Sequence, residues 1–200
     1  MAGTEGLTKP KPPSTMAQIL DAAERLVQER GFNAFSYADI ARELGVTKAA
    51  LHYHFASKAD LGDALIDRYA ERFFGALRAV DEDGSDALAK VRSYAKIYAD
   101  VFRDDRMCLC GMLAADYATL PDPMRERVVR FFDDNEVWLG RVLEEGRGAG
   151  TIRFRGPARG VARTLIGGLE GAMLVARPYH DLKRFRDAAE LLIRGLAVER

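Results

Sequence analysis

A glycine between two short amphipathic segments constrains the first part of this chain more than any other feature. The segments read SYADIARELGVTKAALHYHF and begin at Ser36. Ser36 and Asp39 have the spacing of a helix-capping pair, and Ile40 and Leu44 lie four residues apart on one helix face. Gly45 follows where a helix commonly ends in a left-handed residue. The pattern predicts a helix, a tight turn and a second helix.

The second helix is predicted to run from Lys48 to His54, with Thr47 as its cap. Leu51 and Phe55 lie on its inner face, whereas its outer face carries small, hydroxyl, cationic and aromatic groups. Two short helices joined by a glycine-containing turn describe a helix-turn-helix, whose second helix enters the DNA major groove. A helical hairpin that only packs would share the glycine and the apolar spacing. The exposed groups, however, suit phosphates and base edges better than plain solvent.

The sequence therefore predicts a DNA-contacting surface on and around this helix. A helix N-terminus attracts phosphate, a lysine can reach a guanine, and alanine methyl groups can meet thymine methyl groups. The alternative interpretation is a solvated helix face. The predicted DNA-binding residues are Ser36, Tyr37, Thr47, Lys48, Ala49, Ala50, His52, Tyr53, His54 and Lys58.

The charge balance gives no general sign of a nucleic-acid binder. The 200 residues contain 30 Lys plus Arg and 30 Asp plus Glu, and segment 14–58 is balanced as well. This balance counts against DNA binding, but a discrete site needs only local positive potential. Lys9, Lys11, Lys48 and Lys58 can supply it.

The N-terminal sequence MAGTEGLTKPKPPS lacks the apolar core of a signal peptide and predicts a flexible tail over residues 1–13. The most apolar later stretch, 161–176, is interrupted by Arg163 and Glu170 and is too short to cross a bilayer. We expect a cytoplasmic protein with no membrane partner.

Helical periodicity predicts an all-α fold of about nine helices. The first opens at Thr15, with Gln18 completing a capping box, and the fourth runs from Ser57 to about Ala79. Asp122 is expected to cap a later helix, and the last two cover about 157–177 and 181–198. The segment TIRFRG is briefly strand-like but too short to matter.

The stretch from Thr15 to about residue 65 resembles the N-terminal domain of the TetR family of bacterial transcriptional regulators. The matching signals are ILDAAERL, the following GF, SYADIA, GVTKAALHYHF and SKADL, in this order. The chain departs from the family pattern at His52, Ala49 and Ala59, where the family commonly has Tyr, Gly and Glu. The resemblance implies a DNA-binding domain over 14–58 and a helical ligand-binding and dimerisation domain over 59–200, and it gives Lys58 a phosphate-binding role.

The family's C-terminal domain commonly holds an inducer pocket, and apolar walls with a few polar groups are typical of such sites. Aromatic residues at helical spacing are also typical of plain core. The predicted ligand-binding residues are Tyr94, Tyr98, Cys108, Met112, Asp116, Tyr117, Phe131, Asn135, Trp138, Glu170 and Met173. The resemblance implies a repressor that leaves a palindromic double-stranded operator when it binds a small-molecule inducer, whose identity does not carry over.

The two cysteines, Cys108 and Cys110, raise a second interpretation. Either thiol can act as an electrophile or redox sensor, because the nearby cations Arg103 and Arg106 favour the reactive thiolate. The plainer interpretation is two small apolar core residues.

A strip of small residues at 167, 168, 171 and 172 predicts close approach of another helix, because each glycine is costly inside a helix. The family's dimer is a bundle of the last two helices of each subunit, so the resemblance implies a homodimer. Close packing inside one subunit is the alternative.

An enzyme is the main alternative from another class, but the chain has no phosphate-binding loop, nucleophile elbow or metal-ligand spacing. A helical adaptor that binds proteins is the third interpretation, and it leaves the Gly45 turn and the exposed face TKAALHYH unexplained. His52 and His54 are two residues apart and cannot share a metal on one helix face. We predict no catalytic residue, no cofactor and no metal.

Overall fold

The computed structural model describes residues 14–198, and this part of the chain contains nine α-helices and no β-strand. It confirms the predicted all-α fold. The tail predicted for 1–13, with Lys9 and Lys11, lies outside the described residues. The helices are α1 Thr15–Arg30, α2 Tyr37–Leu44, α3 Lys48–His54, α4 Lys58–Glu82, α5 Ala87–Phe102, α6 Leu109–Ala115, α7 Asp122–Gly148, α8 Ala158–Ala176 and α9 Leu182–Arg194.

The turn between α2 and α3 has the predicted geometry. The Asp39 carboxylate accepts hydrogen bonds from the Ser36 N–H at 2.8 Å and its hydroxyl at 2.7 Å, which fixes the start of α2. Gly45 ends this helix with a φ of 66°, a left-handed conformation that glycine adopts without steric cost. Thr47 caps α3 by accepting a hydrogen bond from the Ala50 N–H.

Several predicted helix ends are corrected. Ser14 caps α1 by accepting from the Ala17 N–H, so Thr15 is the first helical residue and not the cap. Pro121, not Asp122, precedes α7. α4 continues through Glu82, three residues beyond the predicted end, because neither glycine nor proline occurs between Ala79 and Gly84.

The C-terminal helix is also shorter than predicted. α9 ends at Arg194, and the following backbone turns so that Ala197 forms an isolated antiparallel bridge with Ile152. The strand-like segment TIRFRG contributes Ile152 to that bridge.

Helix packing connects the N-terminal trio to the rest of the chain. α1 packs against α2, α4 and α6, and α7 packs against α4, α5 and α8. The short helix α6 contacts α1, α4 and α7, so it lies between the helix-turn-helix and the larger helical body. Within residues 14–198, none of the helices combines the length and apolar character needed to cross a bilayer.

Candidate DNA interface and interior polar cluster

The outer face of α3 is open to solvent. Lys48, Ala49, His52 and Tyr53 are exposed, and Tyr53 has 86% of its surface accessible. The adjoining residues Ala50 and His54 are partly exposed. Because Leu51 is completely buried, α3 is held to the core by one side and leaves the other free. The face therefore offers cationic, methyl and aromatic groups that can enter a groove.

Tyr37 lies behind this face. Its buried hydroxyl donates a hydrogen bond to the Ser57 carbonyl at 2.6 Å and lies 2.9 Å from the Phe55 carbonyl. Burial raises the pKa of Tyr37 to about 12. The ring also contacts that of His52, with 4.8 Å between the centroids. Tyr37 thus braces the junction between α3 and α4, a role that the sequence did not suggest.

Lys58 is turned towards the protein as well. Its Nζ donates to the carbonyls of Phe32 and Phe35, both at 2.5 Å, and lies over both of their rings. Burial lowers the pKa of Lys58. An ammonium group has three N–H donors, so two carbonyl contacts leave one donor for a further partner. Two donors of Lys58 therefore bind the backbone at the two ends of the short 3-10 helix after α1. Only the third donor remains for a phosphate.

A cleft of about 490 Å³ opens beside these residues. Its walls come from the start of α2, from α3 and from the first residue of α4. The first N–H groups of a helix have no partner inside that helix, so the start of α2 provides donors to an anion. The residues that line the cleft are Phe35, Ser36, Tyr37, Ala38, Lys48, His52 and Lys58.

The predicted ligand-binding residues form a packed aromatic cluster rather than an open chamber. Phe73 of α4 contacts Phe131, Tyr94 and Tyr98 with ring centroids 5.1 to 6.1 Å apart. Trp138 stacks on Tyr94 at 5.8 Å. A molecule that enters here has to separate these rings.

Polar groups are buried among the rings and are mostly satisfied. Tyr94 donates to the Asn135 side-chain oxygen at 2.8 Å, and its hydroxyl lies 3.1 Å from that of Tyr98. Asn135 donates to the Phe131 carbonyl at 2.7 Å. Burial raises the pKa of both tyrosines. The network orients the two phenols within the interior.

Glu170 of α8 is the acid of this region, a partly buried residue whose Oε1 atom is shielded from solvent. Its carboxylate lies against Gly111 of α6, where an added Cβ would stand 2.3 Å from the nearer oxygen. Burial raises the pKa of Glu170 to about 7, and a hydrogen bond from the Cys108 thiol opposes this shift. The sequence did not single out Gly111, although a glycine inside an apolar helix is a signal of close approach.

Four further predicted residues lie in different surroundings. Met173 is buried, and Met112 contacts the Arg177 guanidinium through its sulfur at 3.7 Å. The structure does not bring Asp116 and Tyr117 to the cluster. Asp116 accepts a hydrogen bond from a backbone N–H after α1, and Tyr117 is exposed in a 3-10 turn.

Both cysteines are buried free thiols. Burial raises the pKa of Cys108 and Cys110, and the Glu170 charge raises both further. The Tyr69 hydroxyl lies 3.6 Å from the Cys108 sulfur. These surroundings favour the thiol over the reactive thiolate, which weighs against the sensor interpretation. Over residues 14–198, no group of three His, Cys, Asp or Glu side chains is placed to hold a metal.

The helices α8 and α9 leave a face that is open to solvent. An added Cβ at Gly167 or Gly171 would meet no atom of the described residues 14–198 within 4 Å, whereas one at Gly168 would stand 2.7 Å from Leu192 of α9. Gly168 therefore serves packing inside the subunit. Exposed apolar side chains lie on the same two helices, namely Leu174, Val175 and Leu191.

Two family models match the chain. Residues 19–65 match the bacterial regulatory proteins of the tetR family, and residues 87–192 match the tetracyclin repressor-like C-terminal domain. Together they cover the helix-turn-helix and most of the larger helical body. Both matches describe regulators, which answers the enzyme interpretation: the protein is not an enzyme.

Individual relatives agree with these matches. A TetR-family regulator from Agrobacterium tumefaciens has a similar structure with a TM-score of 0.88 and 30% identity, covering 92% of this chain and 97% of that one. The nucleoid occlusion factor SlmA of Marinobacter nauticus is 30% identical over 67% of this chain and 69% of its own. The regulator TtgR of Pseudomonas putida is 40% identical over 48% of this chain and 45% of its own. The chain therefore belongs to the TetR family of bacterial DNA-binding transcriptional regulators.

Proposed function

We propose that this protein is a cytoplasmic repressor that binds a palindromic operator as a homodimer and leaves it when a small molecule binds the helical body. The observation that carries the proposal is the exposed face of α3 beside a cleft lined by helix N–H groups, Lys48 and Lys58. Residues 14–58 act as the DNA-binding domain and residues 59–200 as the ligand-binding and dimerisation domain.

DNA contacts divide into two kinds. The start of α2, Thr47 and the remaining donor of Lys58 hold phosphates, because free N–H groups and cations bind backbone oxygens. Lys48, Ala49 and Tyr53 lie on the outer face of α3 and meet base edges.

The homodimer forms through α8 and α9. Gly167 and Gly171 have open space above them, and Leu174, Val175 and Leu191 are more than half exposed. A helix of a second subunit can approach the glycines closely and cover these apolar side chains. A two-fold dimer presents two α3 helices to one side, which requires a palindromic site with half-sites about 34–36 Å apart or a multiple of this.

Release follows from α4, which both units share. Its first residue, Lys58, is hydrogen-bonded beside the cleft, and Phe73 lies in the aromatic cluster. A molecule that separates the rings displaces α4 and changes the spacing of the two α3 helices. A 10- to 100-fold loss of operator affinity needs only about 1.4–2.8 kcal/mol of coupling.

Footprinting on DNA from the protein's own promoter tests this function. We expect a dimer to protect two related half-sites. Expression from this promoter should rise when the gene for this protein is deleted. Protection of one isolated half-site by a monomer, or expression that falls on deletion, would contradict the proposal.

A further inference from the structure

The interior of the helical body holds a carboxylate without a cationic partner. Among residues 14–198, Glu170 Oε1 is buried and has no hydrogen-bond partner. The groups that shift its pKa are the surrounding protein, through burial, and the Cys108 thiol. No lysine or arginine of the part that the structure describes contributes to that shift. An unpaired buried carboxylate is costly, and proteins normally satisfy one with a cation or with several donors.

The titratable groups whose pKa values the Glu170 charge raises come from three helices and are all neutral near pH 7. Burial raises the pKa of each, and the Glu170 charge raises each further. They are Tyr69 on α4, Tyr94 and Tyr98 on α5, Cys108 at the start of α6 and Cys110 within α6. The acid therefore faces hydroxyls, thiols and rings, and no opposite charge.

Aromatic rings lie one contact beyond this acid, because the Cys108 thiol that bonds Glu170 is 3.6 Å from the Tyr69 hydroxyl. Tyr69 contacts Phe73 and Phe131 with centroids 6.2 and 5.8 Å apart, and Phe73 contacts Tyr98 at 6.1 Å. The face of an aromatic ring attracts cations, and groups of such rings recognise quaternary ammonium ions. A buried carboxylate at the edge of an aromatic cluster combines the two elements that bind an organic cation.

We propose that the molecule that enters this cluster is an organic cation, a protonated amine or a quaternary ammonium ion with an apolar substituent. Its charge pairs with Glu170, and its apolar part lies among Tyr69, Phe73 and Tyr98. The inference rests on the proposed release by a small molecule and specifies the class of that molecule. Because the Glu170 carboxylate lies against Gly111, the cation has to part α8 from α6 to reach it, and α6 also packs against α1.

The test uses benzyltrimethylammonium and its neutral carbon analogue, neopentylbenzene. Trp138 is the single tryptophan of the chain and stacks on Tyr94, so its fluorescence reports binding without DNA. At pH 8 we expect the wild-type protein to bind the cation at least tenfold more tightly than the analogue. At pH 6 the acid holds a proton that the cation must displace, so the affinity should fall about tenfold.

Two variants complete the test. Glu170→Gln keeps the shape and removes the charge, so the preference for the cation should disappear. Glu136→Gln is the matched control, because Glu136 pairs with Arg159 and Arg163 on the surface, and it should bind as the wild type does.

Equal binding of cation and analogue by the wild type, or a preference that survives in Glu170→Gln, would overturn the inference. The affinity of the wild type for the cation at pH 8 and pH 6 tests the same charge without a variant, and equal affinities at the two pH values would also overturn the inference. Operator binding is measured separately on the ligand-free protein. If the protein binds the operator but not the cation, this inference alone is overturned. If it binds the cation but no DNA, the proposed repressor function is overturned.

Discussion

The Asp116 carboxylate accepts a hydrogen bond from the Phe32 N–H at 2.7 Å, across 84 positions of sequence. Asp116 follows α6, and Phe32 opens the 3-10 turn after α1. A second bond joins Asn33 to Thr119 at 2.7 Å. The helical body is therefore bonded directly to the segment after α1 through these two hydrogen bonds, in addition to its connection through the continuous helix α4.

Loss of the hydrogen bond between Asp116 and Phe32 should be measurable. We expect Asp116→Ala to lower the free energy of unfolding by about 1–3 kcal/mol, because the partly buried Phe32 N–H loses its acceptor. Asp134→Ala, at an exposed position of α7, should change it little. Urea denaturation of the three proteins makes the comparison, and equal midpoints for both variants would show that the contact contributes nothing.

Tyr37 and Tyr53 should behave differently although both lie near the DNA face. Tyr37→Phe removes the hydroxyl that bonds the Ser57 carbonyl and should cost about 1 kcal/mol of stability. Tyr53→Phe changes an exposed group and should leave the melting temperature unchanged. Thermal melts followed by circular dichroism measure both, and a larger loss for Tyr53→Phe would refute the bracing role of Tyr37.

The two lysines of the cleft should separate stability from sequence preference. Lys58→Ala should destabilise the protein, because Lys58 holds two carbonyls. It should also weaken binding about equally on all operators, because the phosphate contact proposed for Lys58 carries no sequence information. Lys48→Ala should keep full stability and alter the ranking of operator variants. Anisotropy titrations on a set of operator variants distinguish them, and a sequence-specific effect of Lys58→Ala would count against these assignments.

Neighbouring glycines of α8 provide a matched pair for the dimer. Gly171→Leu should leave the subunit folded and weaken the dimer, because its added atoms enter the open face. Gly168→Leu should instead destabilise the subunit, because its side chain meets Leu192. Sedimentation and melting measure the two effects, and a dimer unaffected by Gly171→Leu would remove this face from the interface.

Glu170 should make stability depend on pH. Its folded-state pKa of about 7 lies above the ordinary value of 4.5, so the folded protein keeps a proton that the unfolded chain has lost between these values. Stability should therefore fall as pH rises from about 4.5 to 7 and stay reduced above it.

Glu170→Gln carries no such proton. Relative to the wild type it should gain on the order of 2 kcal/mol between pH 5 and pH 8. Urea denaturation at the two pH values measures the difference. Glu136, whose pKa Arg163 and Arg159 lower, should give no change over this range when replaced by Gln. A pH profile that is the same for Glu170→Gln and the wild type would contradict a buried acid at this position.

The sequence predicted the helix-turn-helix in detail because local signals specify it. Capping by Ser36, the left-handed Gly45 and the buried Leu51 depend on residues within four positions of one another. The all-α class followed equally well, since period and length are local properties.

Contacts between distant residues were not predictable in the same way. The turn of Lys58 towards Phe32 and Phe35, and the position of Asp116 against Phe32, depend on how α4 and α6 pack against α1. The sequence groups Asp116 with the pocket because it lies near aromatic residues in the chain, whereas the direction of its side chain depends on the fold. The contact between Glu170 and Gly111 also depends on α8 and α6 lying side by side.

The exposed face of α3 as the DNA-reading surface is tested most directly by one anisotropy measurement. A labelled duplex from the protein's own promoter is titrated with the wild type and with the double variant Lys48→Ala, Tyr53→Ala. Both positions are exposed, so the variant should fold normally. We predict salt-dependent binding by the wild type and at least tenfold weaker binding by the variant, which corresponds to about 1.4 kcal/mol or more. Equal affinity of the two proteins for this duplex would contradict the assignment.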